Sequence, residues 1–312
     1  MKFTNNPIIF IVGPTACGKT HLAVHLAADI DAEIISADSR QVYRGMDIGT
    51  GKDLSEYQVD GKSVRYHLID IVDAGYQYNV FEFQRDFFAA CQQISDNGKQ
   101  ILCCGGTGMY IESVIKQYRL EQVPENELLR QQWASQSDAI LIATLQQKKI
   151  LHNVSDTSDR NRLIRALEIA DYYASHPQES QENKLNYKIF NIDIPREEMR
   201  KRIGIRLDER LQNGMVEEVQ NLLQQGISAD TLKYYGLEYK FVAQYLLKEI
   251  DYQTMHDRLQ IAIGQFAKRQ QTWFRKMQRE GVPLINIPYN MPLEEKITFI
   301  KSNIYFLNVS PL

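Results

Sequence analysis

At 312 residues, 44% hydrophobic and 24% charged, the chain has the balance of a soluble globular protein and length for one large domain or a domain carrying an insertion. No uninterrupted apolar run approaches bilayer length, and Met1 to Pro7 lacks the organisation of a signal peptide, so a cytoplasmic protein without membrane association is expected. A net charge of −3 argues against nonspecific nucleic-acid binding and leaves a local basic face as the means of gripping a folded RNA.

The first element is an apolar strand, Ile8 to Val12, followed by Gly13-Pro14-Thr15-Ala16-Cys17-Gly18-Lys19-Thr20 and a helical pattern from Leu22. This is G-x-x-x-x-G-K-[ST] in its strand–loop–helix setting. The glycines let backbone N–H groups converge on one anion, Lys19 adds a point charge, and the Thr20 hydroxyl can reach a magnesium ion. The loop reads as a diphosphate cradle, whether the diphosphate belongs to a nucleotide or to another carrier. Cys17, Cys91, Cys103 and Cys104 have no zinc-type spacing and read as reduced, buried thiols.

Glu33 to Ser39 reads as a second buried strand that delivers Asp38 at its carboxyl end, where an open parallel sheet faces its ligand. Asp38 could hold magnesium through water, accept a proton from an incoming nucleophile, or cap a turn. A Gly-rich loop follows at Gly45 to Lys52, then a strand candidate at Tyr66 to Asp73 and a helix over Phe81 to Ile94 ending at Asn97-Gly98. Lys99 to Cys104 is a fourth strand leading into Gly105-Gly106-Thr107-Gly108, a tight turn or a close backbone approach presenting the Thr107 hydroxyl. Strands alternating with helices predict a parallel α/β sheet.

From about Tyr118 to Asn186 the chain turns Gln-rich and charged with apolar residues at helical intervals, which predicts a helical insertion at 118–186 between core parts 1–117 and 187–312. Its exit at 175–183 is polar and loop-like. Within it, Arg162 and Arg165 share a helix face suited to phosphates or simply to solvent. Tyr187 to Pro195 resumes the sheet, helices run from Arg196 to Arg279 with breaks at Asn213-Gly214 and Gln225-Gly226, and Val282 to Pro288 reads as a late edge strand. Lys268, Arg275 and Arg279 form one stripe interleaved with Phe266, Trp273 and Phe274. That composition suits RNA, although Trp273 reads better as core.

In this order, five segments resemble the tRNA dimethylallyltransferase family in its bacterial form: the Gly13–Thr20 loop, Ile35 to Tyr43 with Gly45 to Thr50, Gly105 to Tyr110, Arg162 to Glu168, and Ala267 to Gln270 with Thr272 to Arg275. The resemblance covers nearly the whole chain. It implies a P-loop NTPase-like parallel sheet flanked by helices, with an inserted all-helical subdomain that contacts the anticodon arm. It also implies transfer of a dimethylallyl group from dimethylallyl diphosphate to N6 of the adenosine 3′-adjacent to the anticodon, in tRNAs reading codons that begin with U, with Mg2+; apart from the resemblance, a monomer is expected.

By the same resemblance Asp38 and Thr107 are catalytic, Gly13, Pro14, Thr15, Ala16, Cys17, Gly18, Lys19 and Thr20 bind the diphosphate, and Thr20 ligates the metal. Asp38, Ser39, Arg40, Gln41, Thr107, Arg130, Asn161, Arg162, Leu163, Ile164 and Arg165 contact tRNA, as does the stretch Ala262 to Ala267. Two positions depart from the family pattern. Glu238-Tyr239-Lys240 replaces a Gly-Tyr-Lys or Gly-Tyr-Arg sequence, and Ile263-Gly264-Gln265 lacks the usual basic residue. An adenylate isopentenyltransferase using free nucleotide shares the core, and a P-loop ATPase or RNA-binding switch shares the loop.

Overall fold

The computed structural model describes residues 6–148, 159–176 and 185–305. Contacts divide the chain into two compact units, one of Met1–Tyr118 with Lys184–Leu312 and one of Arg119–Asn183.

The first unit is built on a six-stranded sheet of β1 (Ile8–Val12), β2 (Ala32–Ser36), β5 (Tyr66–His67), β6 (Gln100–Gly105), β7 (Tyr187–Asp193) and β8 (Leu284–Pro288), with a small hairpin of β3 (Gln58–Val59) and β4 (Lys62–Ser63) beside it. The spatial order is β5-β2-β6-β1-β7-β8 and every ladder is parallel. All five residues of β1 and of β2 are buried, the pattern of strands covered on both faces. Because β6 lies between β1 and β2, the carboxyl ends of these three strands open one crevice, the usual ligand position in an open α/β sheet. Helices α1 (Lys19–Ile30), α2 (Val80–Asp96) and α3 (Gly108–Ile115) connect them. A reciprocal cap between Asn79 and Glu82 fixes the start of α2.

Two expectations in this unit need correction. The strand expected over Tyr66 to Asp73 pairs with β2 only at Tyr66–His67, since Leu68 and Asp70 take positive φ, and then makes an isolated parallel bridge from Val72 to Tyr43. The bend delivers the Asp70 carboxylate to the buried Lys52 ammonium, which also reaches Asp47 and the Tyr43 carbonyl; an unpaired buried cation would cost far more than a broken strand. The helices after β7 are α7 (Arg196–Gln212), α8 (Met215–Gln224), α9 (Ala229–Tyr235), α10 (Leu237–Leu246) and α11 (Tyr252–Arg279). The breaks at 213–214 and 225–226 are present, and two more fall at Gly236, whose φ of 147° only glycine adopts readily, and at 247–251 between α10 and α11. The edge strand β8 is followed by α12 (Leu293–Tyr305), which the sequence reading did not anticipate.

The second unit contains α4 (Glu127–Ala134), α5 (Asp138–Lys148) and α6 (Arg160–Ser175), packed around Trp133, Leu141, Leu145, Leu163 and Leu167. Asp159 caps α6 through the Arg162 N–H, and the Arg160 guanidinium donates to the carbonyls of Trp133, Ala134 and Gln136 at the end of α4. Most of the polar exit read at 175–183 lies outside the described residues. No helix among the described residues is long and apolar enough to cross a membrane.

Candidate active site

The loop between β1 and α1 has the backbone its sequence calls for. Ala16 and Gly18 both take left-handed conformations, with φ of 62° and 85°, so successive amides curl around one point. At Gly13 a Cβ would lie 2.8 Å from the Cys17 sulfur, which leaves glycine as the residue that fits. The Cys17 thiol is buried, and burial pushes its pKa up, so Cys17 contributes backbone and packing here. Lys19 Nζ donates to the Pro14 carbonyl at 3.2 Å, folding the ammonium back across the loop. The Thr15 N–H donates to Gln270 Oε1 at 2.8 Å, and Gln270 Nε2 donates to the Gly106 carbonyl at 3.0 Å. One buried amide on α11 therefore ties the phosphate loop to the turn after β6.

A cavity of about 440 Å³ opens beside the loop and is lined by Thr15, Lys19, Thr20, Asp38, Ser39, Arg40, Gln41 and Thr107. The residues expected at the catalytic centre are thus brought together. Asp38 Oδ1 accepts from the Arg40 N–H at 2.9 Å, so the aspartate both caps its own turn and lines the cavity. Thr107 begins α3, but its hydroxyl accepts from the Ser39 N–H at 3.1 Å instead of capping the helix, which joins the ends of β2 and β6. Gln41 donates to the Gly51 carbonyl and accepts from the Ser36 hydroxyl.

The glycines of the turn answer to close packing. A Cβ at Gly105 would lie 2.2 Å from the Ala37 carbonyl, and one at Gly108 would lie 2.4 Å from the Trp273 ring. Trp273 is accordingly half-buried against α3, as its core reading required.

Sequence reasoning missed two side chains on the same cavity wall. Arg206 and Arg210 stand one turn apart on α7, a spacing that puts both on one face and was the available signal. Arg206 pairs with Asp53, whereas Arg210 has only distant carboxylates, Asp53 at 4.0 Å and Glu238 at 3.9 Å. The Arg210 Nε is buried without a hydrogen-bond partner. Burial, and then the Arg206 charge, pull its pKa down from the ordinary arginine value; burial pushes the Glu238 carboxyl up. Glu218, another unnoticed residue, accepts from the N–H groups of Asp47, Ile48 and Gly49 and from the Tyr239 hydroxyl, fixing the Gly45–Lys52 loop below the cavity. Tyr234 and Phe266, 43% and 40% exposed, add aromatic wall.

A second cavity of about 740 Å³ lies between α7 and α11. Lys268 and Arg275 of the basic stripe line it together with Arg196 and Arg200, and Gly264 opens onto it with free space where a side chain would project. Arg279 is exposed, and Phe274 is core. Of the stretch Ala262 to Ala267, Ile263 and Phe266 line the smaller cavity while Gly264 and Gln265 line the larger.

The remaining expected RNA contacts belong to the second unit. Asn161 and Arg162 are exposed on α6. Leu163 is buried in that unit's core and Ile164 packs against it, as the apolar stripe that stabilises α6 requires, so within the 161–165 segment expected to contact tRNA the exposed side chains are Asn161 and Arg162. Arg130 and Arg165 are both occupied, donating to Glu168 at 2.7 Å and 3.0 Å, with Arg165 also on the Val123 carbonyl. Burial raises the Glu168 pKa, but these two guanidiniums and the Asn126 N–H outweigh it and hold the carboxyl at about 2.

Comparison with known proteins agrees with this geometry. The model of the IPP transferase family matches residues 41–277. The chain is 51% identical over 305 residues to tRNA dimethylallyltransferase 2 of Bacteroides fragilis (strain YCH46), covering 97% of this chain and 99% of that one. It is 50% identical to tRNA dimethylallyltransferase 1 of Parabacteroides distasonis, covering 93% and 95%. Among solved structures, the full-length tRNA isopentenylpyrophosphate transferase of Bacillus halodurans superposes with a TM-score of 0.71 at 29% identity, covering 96% and 95%. A eukaryotic dimethylallyltransferase acting on tRNA, 21% identical, shares the fold with a TM-score of 0.76 over 99% and 81%. The chain belongs to the IPP transferase family.

Proposed function

We propose that the chain transfers a dimethylallyl group from dimethylallyl diphosphate to N6 of the adenosine 3′-adjacent to the anticodon in tRNAs reading codons that begin with U, giving N6-dimethylallyladenosine and diphosphate. The observation that carries this reading is that Lys19, Thr20 and Asp38 share one cavity wall, an anion cradle and a base around one small space. As the C1–O bond breaks, charge develops on the departing diphosphate, and Lys19, Arg206 and Arg210 supply fixed positive charge there. The allylic C1 tolerates cationic character, so the delocalised lone pair of N6 suffices as nucleophile. The nitrogen becomes acidic as the new C1–N6 bond forms, and Asp38 accepts its proton. Thr107 holds the Asp38 loop through Ser39.

A stacked adenine cannot reach a recessed donor, so the base must turn out of the RNA; Tyr234 and Phe266 offer faces for it. Asn161 and Arg162 on α6, and the stripe of Lys268, Arg275 and Arg279, are the surfaces on which we expect anticodon stem-loop phosphates to rest.

The residues also fit Mg2+. Among the described residues no three His, Cys, Asp or Glu side chains form a cage, but Mg2+ keeps waters and phosphate oxygens and asks little of the protein, here the Thr20 hydroxyl. Bound with the donor, the ion would neutralise charge on the leaving group. We expect a monomer working in the cytoplasm.

The test is to incubate the purified chain with dimethylallyl diphosphate, Mg2+ and tRNA lacking the modification, with AMP as a competing acceptor, and to analyse the nucleosides by mass spectrometry. N6-dimethylallyladenosine in the tRNA is the expected product. Product on AMP alone would reassign the acceptor to free nucleotide, and no product from folded protein would remove the reading.

A further inference from the structure

Arg210 is in an unusual state for a mostly buried arginine. Its side chain is 14% exposed, its Nε has no partner, and among the described residues it makes no hydrogen bond. The guanidinium packs against the Gly45–Asp53 loop, with Nη2 in the space left by the missing side chain of Gly51, where a Cβ would come within 1.6 Å. A buried Nε–H left without a partner is expensive unless a ligand brings an acceptor to the guanidinium. Arg206, one turn before it, adds a second positive charge and keeps Asp53 for itself. The Glu238 carboxylate lies across from Arg210 at 3.9 Å, close enough to neutralise it and too far to hydrogen-bond, and it lines the same cavity as Lys19.

We propose that Glu238 is the counter-ion of Arg210 in the resting cavity, that the diphosphate end of the donor takes Arg210 over, and that the Glu238 charge then favours release of the diphosphate product. The Glu238 charge competes with the diphosphate for Arg210, and so weakens binding of every diphosphate in the cradle. Glu238 is therefore a positioning residue that acts through Arg210 and sets how tightly the product is held. The inference rests on the diphosphate reading of the loop.

The test uses the full chain and inorganic pyrophosphate as probe, with binding measured by calorimetry for wild type, Glu238→Gln, Glu238→Asp, Arg210→Gln and the Glu238→Gln/Arg210→Gln double variant. Glu238→Gln is expected to bind pyrophosphate roughly tenfold tighter, because Arg210 then has no counter-ion to give up before it meets the diphosphate. In turnover its KM for dimethylallyl diphosphate and its kcat should fall together as product release slows, while Glu238→Asp stays near wild type. In the Arg210→Gln background the same substitution should change affinity by no more than about twofold, because the pair no longer exists. Equal pyrophosphate affinities for wild type and Glu238→Gln would overturn the proposal, as would an undiminished effect in the Arg210→Gln background. A wild-type chain that binds no pyrophosphate at all would instead remove the cradle reading beneath it.

Discussion

The arginines of the two units show how the same residue type serves opposite ends. In the second unit Arg130 and Arg165 spend their donors on Glu168, whose side chain is 1% exposed, and on backbone carbonyls. Arg130 holds α4 to α6 and Arg165 holds α6 to the segment before α4, and little of their hydrogen-bonding capacity remains for a ligand. In the first unit the Arg210 side chain is only 14% exposed, yet it lacks any hydrogen bond among the described residues and lines a cavity with Lys19. Donors already satisfied mark structure, and donors held rigid but unsatisfied mark a binding site. Charge counting along the sequence cannot tell these apart, since both kinds sit on helices at i, i+3 or i, i+4 spacing.

The contrast can be broken at several points. At the cradle the effect should be large: Lys19→Ala should lower kcat/KM for the donor by roughly 10²–10³-fold in steady-state assays at saturating tRNA, as for other groups aimed at developing charge. Next, Glu168→Gln should destabilise the second unit by about 2–3 kcal/mol, read by thermal or urea melting, while pyrophosphate affinity stays unchanged. The Glu168 pKa in the folded chain, about 2, lies below the ordinary 4.5. Its stabilising contribution is therefore complete above about pH 4.5 and fades as pH falls towards 2. Acid melting of Glu168→Gln should lack that component.

Much of this arrangement could be read before any coordinates. The phosphate loop was legible because a fixed pattern sat between an apolar strand and an amphipathic helix, and β1, β2 and β6 were legible because strands buried on both faces are nearly continuous apolar runs. The short β5 was overextended because Ile69, Ile71 and Val72 look like strand, while the demand of Lys52 for Asp70 is a tertiary fact. Arg206, Arg210 and Glu218 were passed over for the same reason: on a sequence they are surface charges of amphipathic helices, and only the folding of α7 and α8 against the Gly45–Asp53 loop gives them partners. Leu163 and Ile164 were drawn into the RNA-contact set by position within a motif, although their helical spacing already marked an inner face.

Smaller effects sharpen the account. Gln270→Leu strands the Thr15 N–H and the Gly106 carbonyl and should destabilise the first unit by about 1–2 kcal/mol in a denaturant melt. Arg162→Ala should weaken tRNA binding a few-fold and to the same degree for different tRNA sequences, and should reduce the slope of log affinity against log salt by about one, as for a lost phosphate contact. Arg165→Ala should act mainly on stability, because its guanidinium is already engaged. The reverse pattern would assign Arg165 to the RNA surface and Arg162 to solvent.

The most direct measurement of the central claim, a diphosphate cradle and a proton acceptor on one wall, is the single-turnover rate of Asp38→Asn with donor and tRNA both bound. The account predicts affinities for dimethylallyl diphosphate and tRNA within a few-fold of wild type, and a transfer rate lower by roughly 10²–10⁴-fold, the range for loss of a positioned base. An unchanged transfer rate with both substrates bound would contradict it.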